Sequence, residues 1–253
     1  MINIRTPAEI KKIAASGSIL AEVMKKIIPG IREGTKLSDL DKLTESLIRK
    51  AGAKPAFLNY RPAGARKPYA VSICTSLNEV IVHGFPNDYK LKSGDVLKLD
   101  FGVLYKGFYA DAAITILIGE VSAIARRLTE ATREALSRAI KKCEPGSTLG
   151  DVGLEIENTA KKYGFKSIKG LTGHGIGTKL HEEPEILNYG QKGKGLKLKP
   201  GMVLALEPMF SAGTDEIVQQ SDDSWATADN GLSAHFEHTV AITEKGPQIL
   251  TAF

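Results

Sequence analysis

The sequence predicts an α+β fold built from two similar halves, each reading helix, helix, strands. Three observations carry this. Each half opens with two amphipathic helical patterns. Each continues into segments rich in β-branched and aromatic residues. Two blocks of the first half then recur in the second, in the same order. Gly34-Thr35-Lys36-Leu37-Ser38-Asp39-Leu40 parallels Gly146-Ser147-Thr148-Leu149-Gly150-Asp151-Val152, and Lys92-Ser93-Gly94-Asp95-Val96-Leu97-Lys98-Leu99-Asp100 parallels Lys199-Pro200-Gly201-Met202-Val203-Leu204-Ala205-Leu206-Glu207. The second block pairs Asp100 with Glu207, acid with acid. A pseudo-twofold axis relating halves of about 1–120 and 121–253, within one domain spanning 1–253, would turn those carboxylates toward each other.

The elements follow in order. Thr6-Pro7-Ala8-Glu9 reads as helix N-cap, N1 proline and capping-box glutamate. Ile10, Ile13, Ala14, Gly17, Ala21 and Met24 continue at helical spacing until Pro29-Gly30. A second helix is expected from about Ser38 to Ala51, with Leu40, Leu43 and Leu47 inward and Gly52 as its stop. Residues 69–84 and 96–118 read as strands. A third helix runs from Ser122 to Lys142 carrying Ile124, Leu128, Ala131, Ala135 and Ala139, and Pro145-Gly146 follows it. A fourth runs from about Asp151 to Tyr163, stopped by Gly164. Strands are expected at 202–207, 224–227 and 232–242, with Asp229-Asn230-Gly231 as a hairpin turn leading from Trp225.

Composition sets limits on function. The 253 residues are 42% hydrophobic and 25% charged, which excludes disordered and collagen-like chains. A chain this long buries enough surface to fold without a structural metal, so a metal signal points to catalysis. Two cysteines, Cys74 and Cys143, form no CxxC pattern, which excludes a disulfide scaffold and a thiolate zinc site. No apolar run approaches the roughly 18 residues of a membrane span, and Arg5, Lys11 and Lys12 interrupt any secretory leader. The expectation is a soluble cytoplasmic protein. Net charge is +5. The densest basic run, Lys192, Lys194, Lys197 and Lys199, lies among glycines without aromatic interleaving, and reads as a solvated loop rather than an RNA surface.

Asp100 and Asp111 flank Tyr105-Lys106-Gly107, a tight turn between strands. With the turn at 105–106 the acids stand opposite; with it at 106–107 they are diagonal. In either case they share a face. Two bare carboxylates about 5 Å apart repel by roughly 3 kcal/mol at an effective dielectric of about 20. Leu97, Leu99, Phe101, Val103, Ile114 and Ile116 mark a buried sheet, so the pair calls for a shared proton or a cation. The alternative, two acids on a solvent face, fits those apolar neighbours less well.

The five histidines, His83, His174, His181, His235 and His238, all lie beyond residue 82. His174 sits in Gly173-His174-Gly175-Ile176-Gly177, whose glycines are expected to let backbone approach a ligand; no phosphate-loop lysine or dinucleotide fingerprint accompanies them. Glu207 ends an apolar strand. Glu237 is expected at the centre of another, sharing a face with His235, and an acid there needs a partner. Two Asp, two Glu and at least one His exceed what one small cation balances. They suit two divalent ions about 3.5–4 Å apart, and oxygen-rich donors with one nitrogen favour cobalt, manganese, iron(II) or zinc.

These segments closely resemble type I methionine aminopeptidase, of peptidase family M24, over nearly the whole chain. The resemblance rests on Asn78-Glu79-Val80-Ile81-Val82-His83-Gly84 with Pro86, the Asp100 to Asp111 spacing, Gly173 to Gly177 followed by His181-Glu182-Glu183-Pro184, Leu206-Glu207-Pro208-Met209, and Glu237-His238-Thr239. It implies a pita-bread fold, two αβ halves around a central antiparallel sheet. It also implies that Asp100 binds one ion, His174 and Glu207 the other, and that Asp111 and Glu237 bridge both. His83 and His181 would contact substrate and steady the tetrahedral intermediate, and Glu207 would handle a proton. Cys74 and Trp225 match positions of the methionine pocket. The implied reaction removes the N-terminal methionine from a peptide or nascent chain, by a monomer that meets the ribosome transiently. The resemblance is to the class without the long N-terminal domain of prolidases. An X-Pro aminopeptidase or dipeptidase on the same fold, or a metal-free binding protein that docks RNA or protein, are the alternatives. Two departures stand out. The loop from Asn59 to Tyr69 is longer than usual in the family, and Leu180 precedes His181 where a pocket phenylalanine is common. His235 has no implied role.

Overall fold

The computed structural model describes residues 2–61 and 67–253; residues 62–66 of the long loop lie outside them. Helices α1 (Pro7–Ile27) and α2 (Leu37–Lys50) precede strands β1 (Lys54–Pro55), β2 (Cys74–Leu77), β3 (Val80–Val82), β4 (Val96–Tyr105) and β5 (Phe108–Leu117). Helices α3 (Ala123–Lys142) and α4 (Leu149–Tyr163) precede β6 (Lys166–Ser167), β7 (Thr172–Gly175), β8 (Glu182–Leu187), β9 (Val203–Leu206), β10 (Met209–Ser211), β11 (Ile217–Gln219), β12 (Trp225–Thr227), β13 (Ser233–His235), β14 (His238–Thr243) and β15 (Gly246–Ile249).

Two helix-end signals act as expected: Thr6 and Glu9 form a reciprocal capping box on α1, and Gly164 closes α4 with φ 78°. A second capping box, Thr148 with Asp151, starts α4 at Leu149, two residues ahead of the expected start. One inward assignment fails, at Leu43, and Ile124 of the third helix's apolar set lies off the buried face. Leu43 is 46% exposed and Ile124 43% exposed. On α2 the buried positions are Leu37, Leu40, Thr44 and Ile48, a stripe one step round the helix from Leu43. Ile124 lies in the first turn of α3, ahead of the buried face that starts at Ala125 and Leu128.

The repeated blocks fold alike. The Gly34 N–H donates to the Leu91 carbonyl and the Leu91 N–H to the Thr35 carbonyl. Their counterparts are Gly146 to Leu198 and Leu198 to Ser147. Isolated bridges pair Lys36 with Lys90 and Thr148 with Lys197. One apolar core gathers α1, α2, β4 and β5 around Leu20, Met24, Ile48 and Phe101. A second gathers α3, α4, β9 and β14 around Leu128, Ile156, Leu204 and Val240.

β4 pairs antiparallel with β1, β2 and β5, and the second large sheet runs β15-β14-β9-β7-β8. Ala113 and Glu237 exchange backbone hydrogen bonds across the gap between them, which joins the sheets. On β4, Leu97, Leu99, Phe101 and Val103 face the helices, so alternation turns Lys98, Asp100 and Gly102 to the opposite face.

Three strand expectations need correction. Residues 69–73 are not strand, because their backbone groups are taken up by loop contacts such as Tyr69 with Tyr60. The 232–242 segment breaks at Phe236–Glu237, where pairing passes from β10 to β9. The chain does turn at Asn230, with φ 59°, but β12 and β13 do not pair with each other. β12 joins β11 and β3 while β13 joins β10, so the turn hands the chain between sheets.

Candidate functional site

The β4–β5 hairpin places the first acids. Tyr105 pairs with Phe108, and Lys106 and Gly107 both have positive φ, 49° and 82°, a two-residue turn whose twist suits a hairpin. Asp100 therefore faces Ala113, and Asp111 faces Gly102. The acids are diagonal neighbours on one face, the second of the two registers the sequence allowed. Cys74 on β2 stands directly across from Asp100.

The second half supplies the rest. His174 lies on β7, paired with Ala205 of β9. Glu207 follows β9 and its carbonyl accepts from Asn188 Nδ2 at 3.1 Å. Glu237 sits in the break before β14, where Ala113 holds its backbone. Ligand-type atoms of Asp111, His174 and Glu237 all lie within 4.8 Å of one another. His174 Nε2 is 3.5 Å from Glu207 Oε1. His181 comes edge-on to His174, with ring centroids 4.4 Å apart. Trp225 pairs with Val82, the residue before His83, and His83 itself takes a left-handed φ of 63°. The structure thus brings together residues drawn from both halves.

The glycines beside His174 have a packing role. A Cβ on Gly173 would lie 2.4 Å from the Ala205 carbonyl, and one on Gly175 would lie 2.2 Å from the Glu183 carbonyl. They let neighbouring strands approach the histidine's backbone closely.

The electrostatics are those of a crowded acid cluster. Asp100, Asp111 and Glu237 are buried, and each keeps one carboxylate oxygen without a hydrogen-bond partner among the described residues. Burial raises Asp100 well above the ordinary carboxylate range, reinforced by Asp111 and Glu207. Burial pushes Asp111 up to about 7. Glu207 is raised by burial and by Asp111, and Glu237 by burial, Asp111, Glu207 and Asp100. Removed from water and set against one another's like charge, these groups take either protons or cations.

The imidazole completes a donor set. His174 Nδ1 is 2.9 Å from the Gly175 carbonyl. A carbonyl only accepts, so Nδ1 carries the proton and Nε2 offers a lone pair toward the acids. Burial pushes this ring down to about 4, which keeps it neutral at neutral pH. Buried carboxylate oxygens without partners, beside an imidazole lone pair, fit divalent cations.

The sequence singles out His235 but assigns it no role, and two further residues near the site, Lys98 and Tyr60, escape sequence reasoning. His235 is buried, both its ring nitrogens lack partners among the described residues, and Nε2 is 3.8 Å from Glu207 Oε2. Lys98 is 1% exposed. Its Nζ donates to the Asn78 carbonyl at 2.7 Å, and burial pushes it down to about 7. Tyr60 reaches the site through its hydroxyl, 2.8 Å from His181 Nδ1. The period-two pattern of β4 could have flagged Lys98. No sequence signal links Tyr60 to a residue 121 positions away.

The model of metallopeptidase family M24 matches residues 11–244. A methionine aminopeptidase of Aquifex aeolicus (strain VF5) is 45% identical, covering 99% of this chain and 98% of that protein. Methionine aminopeptidase 1 of Bacillus subtilis (strain 168) is 38% identical, covering 99% of each. The crystal structure of methionine aminopeptidase from Thermotoga maritima superposes with a TM-score of 0.95 at 41% identity, covering 100% of both chains. Prolidase from Pyrococcus furiosus gives 0.79 at 27%, covering 99% of this chain and 65% of that one.

Proposed function

The chain belongs to metallopeptidase family M24, and from that premise we propose that five of its side chains hold a pair of divalent ions for peptide hydrolysis. Its fold is the pita-bread fold, and its activity is the removal of the N-terminal methionine from polypeptides. Asp100, Asp111, His174, Glu207 and Glu237 would hold the two ions, with Asp100 serving one, His174 and Glu207 the other, and Asp111 and Glu237 shared between them. The observation that carries this is the set of buried carboxylate oxygens without a partner among the described residues, beside the His174 lone pair. Cobalt, manganese, iron(II) and zinc all suit that donor set.

When bound, such ions supply an acidified water and polarise the scissile carbonyl. The chain's own side chains do the rest. His181 donates from Nε2 to the carbonyl oxygen as it gains charge. Glu207 takes the proton of the attacking water and passes it to the leaving amine. Cys74 and Trp225 line the pocket for the methionine side chain. His83 crowds the next position, which favours a small second residue.

The chain works as one catalytic domain whose halves, about 1–120 and 121–253, each contribute ligands. Its substrate is a peptide or nascent-chain N-terminus. On this reading the chain is a cytoplasmic monomer that meets the ribosome transiently. Among the described residues, no helix is long and apolar enough to cross a membrane.

The test is turnover of a Met-Ala-Ser peptide by metal-stripped protein after separate addition of each ion, beside an X-Pro peptide. Metal-dependent methionine release is expected. Cleavage of the X-Pro peptide alone would install the prolidase-like alternative, whose structures share 23–27% identity with this chain. Silence with every ion would leave a binding protein.

A further inference from the structure

His181 is held from two sides, and the two holds do different things. The Glu182 carboxylate fixes the backbone. It accepts from the Thr178 N–H at 2.8 Å, the Lys179 N–H at 2.9 Å, the Thr178 hydroxyl at 3.0 Å, Asn3 Nδ2 at 2.7 Å and the Arg5 guanidinium. That leaves the ring's own proton undecided. Tyr60 stands edge-on to the ring, with centroids 5.1 Å apart and planes at 82°, and its hydroxyl meets Nδ1 at 2.8 Å. Tyr60 is itself anchored: its N–H donates to the Phe57 carbonyl at 2.8 Å and its carbonyl accepts from the Tyr69 N–H at 2.7 Å.

A phenol is a stronger acid than a neutral imidazole N–H, and an imidazole nitrogen is a stronger base than a phenol oxygen. The bond therefore runs from the Tyr60 O–H to Nδ1, and the ring proton sits on Nε2. His174, whose ring centroid is 4.4 Å away, has the opposite tautomer, because the Gly175 carbonyl claims its Nδ1–H. Two adjacent histidines are thus set by their outer partners as one acceptor and one donor.

We propose that Tyr60 is a positioning residue for the reaction: its hydroxyl locks His181 as the Nε2–H donor turned to the substrate carbonyl. The inference rests on the reading of His181 as the group that steadies the oxyanion. It makes Tyr60 part of the catalytic apparatus.

The test uses the full chain, metal-free, in two-bond proton–nitrogen NMR of its histidines, with Tyr60→Phe as the variant. In the unmodified protein His181 is expected in a single tautomer, protonated at Nε2, with Nδ1 shifted as a hydrogen-bonded acceptor. In Tyr60→Phe that Nδ1 resonance moves toward the value of an unbonded acceptor. With manganese restored, kcat falls about 3- to 30-fold while KM stays within about twofold. A proton on Nδ1 in the unmodified protein, or His181 resonances unchanged in the variant, would overturn the proposal. The unmodified spectrum decides even if the variant folds poorly. His181→Ala separates the two readings. Near-normal turnover in that variant sinks the oxyanion role, whereas the NMR result bears on Tyr60 alone.

Discussion

Thr239 spans the seam between the two halves to Asp111 with a single hydroxyl. Its Oγ1 accepts from the Asp111 N–H at 2.9 Å and donates to the Asp111 carbonyl at 2.9 Å. Thr115 does the same for His235, at 2.9 Å and 2.7 Å. Between them, Ala113 and Glu237 exchange backbone hydrogen bonds directly. The seam is thus symmetric about the Ala113–Glu237 pair, and it sets the register that brings Asp111 to Glu237.

Thr239→Val keeps the shape but leaves a buried N–H and a buried carbonyl of Asp111 unpaired. Stability is expected to fall by about 2–4 kcal/mol, read by denaturant unfolding of metal-free protein. Thr239→Ser should lose about 1 kcal/mol or less. Equal midpoints for all three would show that the hydroxyl carries no such duty.

Asp111→Asn and His174→Ala each remove one arm of the donor set. Turnover of Met-Ala-Ser should drop by at least about 100-fold while circular dichroism shows the fold intact. Near-normal turnover in either variant contradicts the site.

Because burial holds Asp111 at about 7 and the other three acids above their ordinary range, the metal-free cluster carries protons at neutral pH. Ion binding must expel them. Calorimetric titration with manganese at pH 7 should give an enthalpy that varies with the ionisation enthalpy of the buffer. An enthalpy independent of buffer would mean the cluster is already fully ionised.

Gly175→Ala should disable the enzyme although it alters no functional group. Its methyl would meet the Glu183 carbonyl at 2.2 Å, forcing β7 and β8 apart at His174. Activity should fall by about 10-fold or more. Normal kinetics would show that the strands can yield there.

Glu134 on α3 accepts from the Tyr163 hydroxyl, Lys162 and Arg138, and these bonds, Tyr163 first, pull its carboxyl down from 4.5 to about 2. A lowered folded-state pKa means that its contribution is present above about 4.5 and is lost as pH falls toward 2. The site is near the surface, so Glu134→Gln should cost about 0.5–1 kcal/mol at pH 7. The gap should close in acid, as followed by thermal unfolding across pH. A gap that widens in acid would refute the ion-pair account.

Much of this protein is legible in its residues. Capping boxes, helix stops and the repeated blocks depend on neighbours a few positions apart, so local physics marks them. The acids at 100, 111, 207 and 237 announce themselves by being charged within apolar runs. What only the tertiary structure decided is long-range and geometric. The Lys106-Gly107 turn made the Asp100–Asp111 pair diagonal, the seam at Ala113 interrupted a strand to seat Glu237, and close strand approach accounted for the glycines around His174. Tyr60 meets His181 because loops far apart in the chain fold together; a hydrogen bond depends on where two atoms end up, and pattern along the chain carries no trace of that.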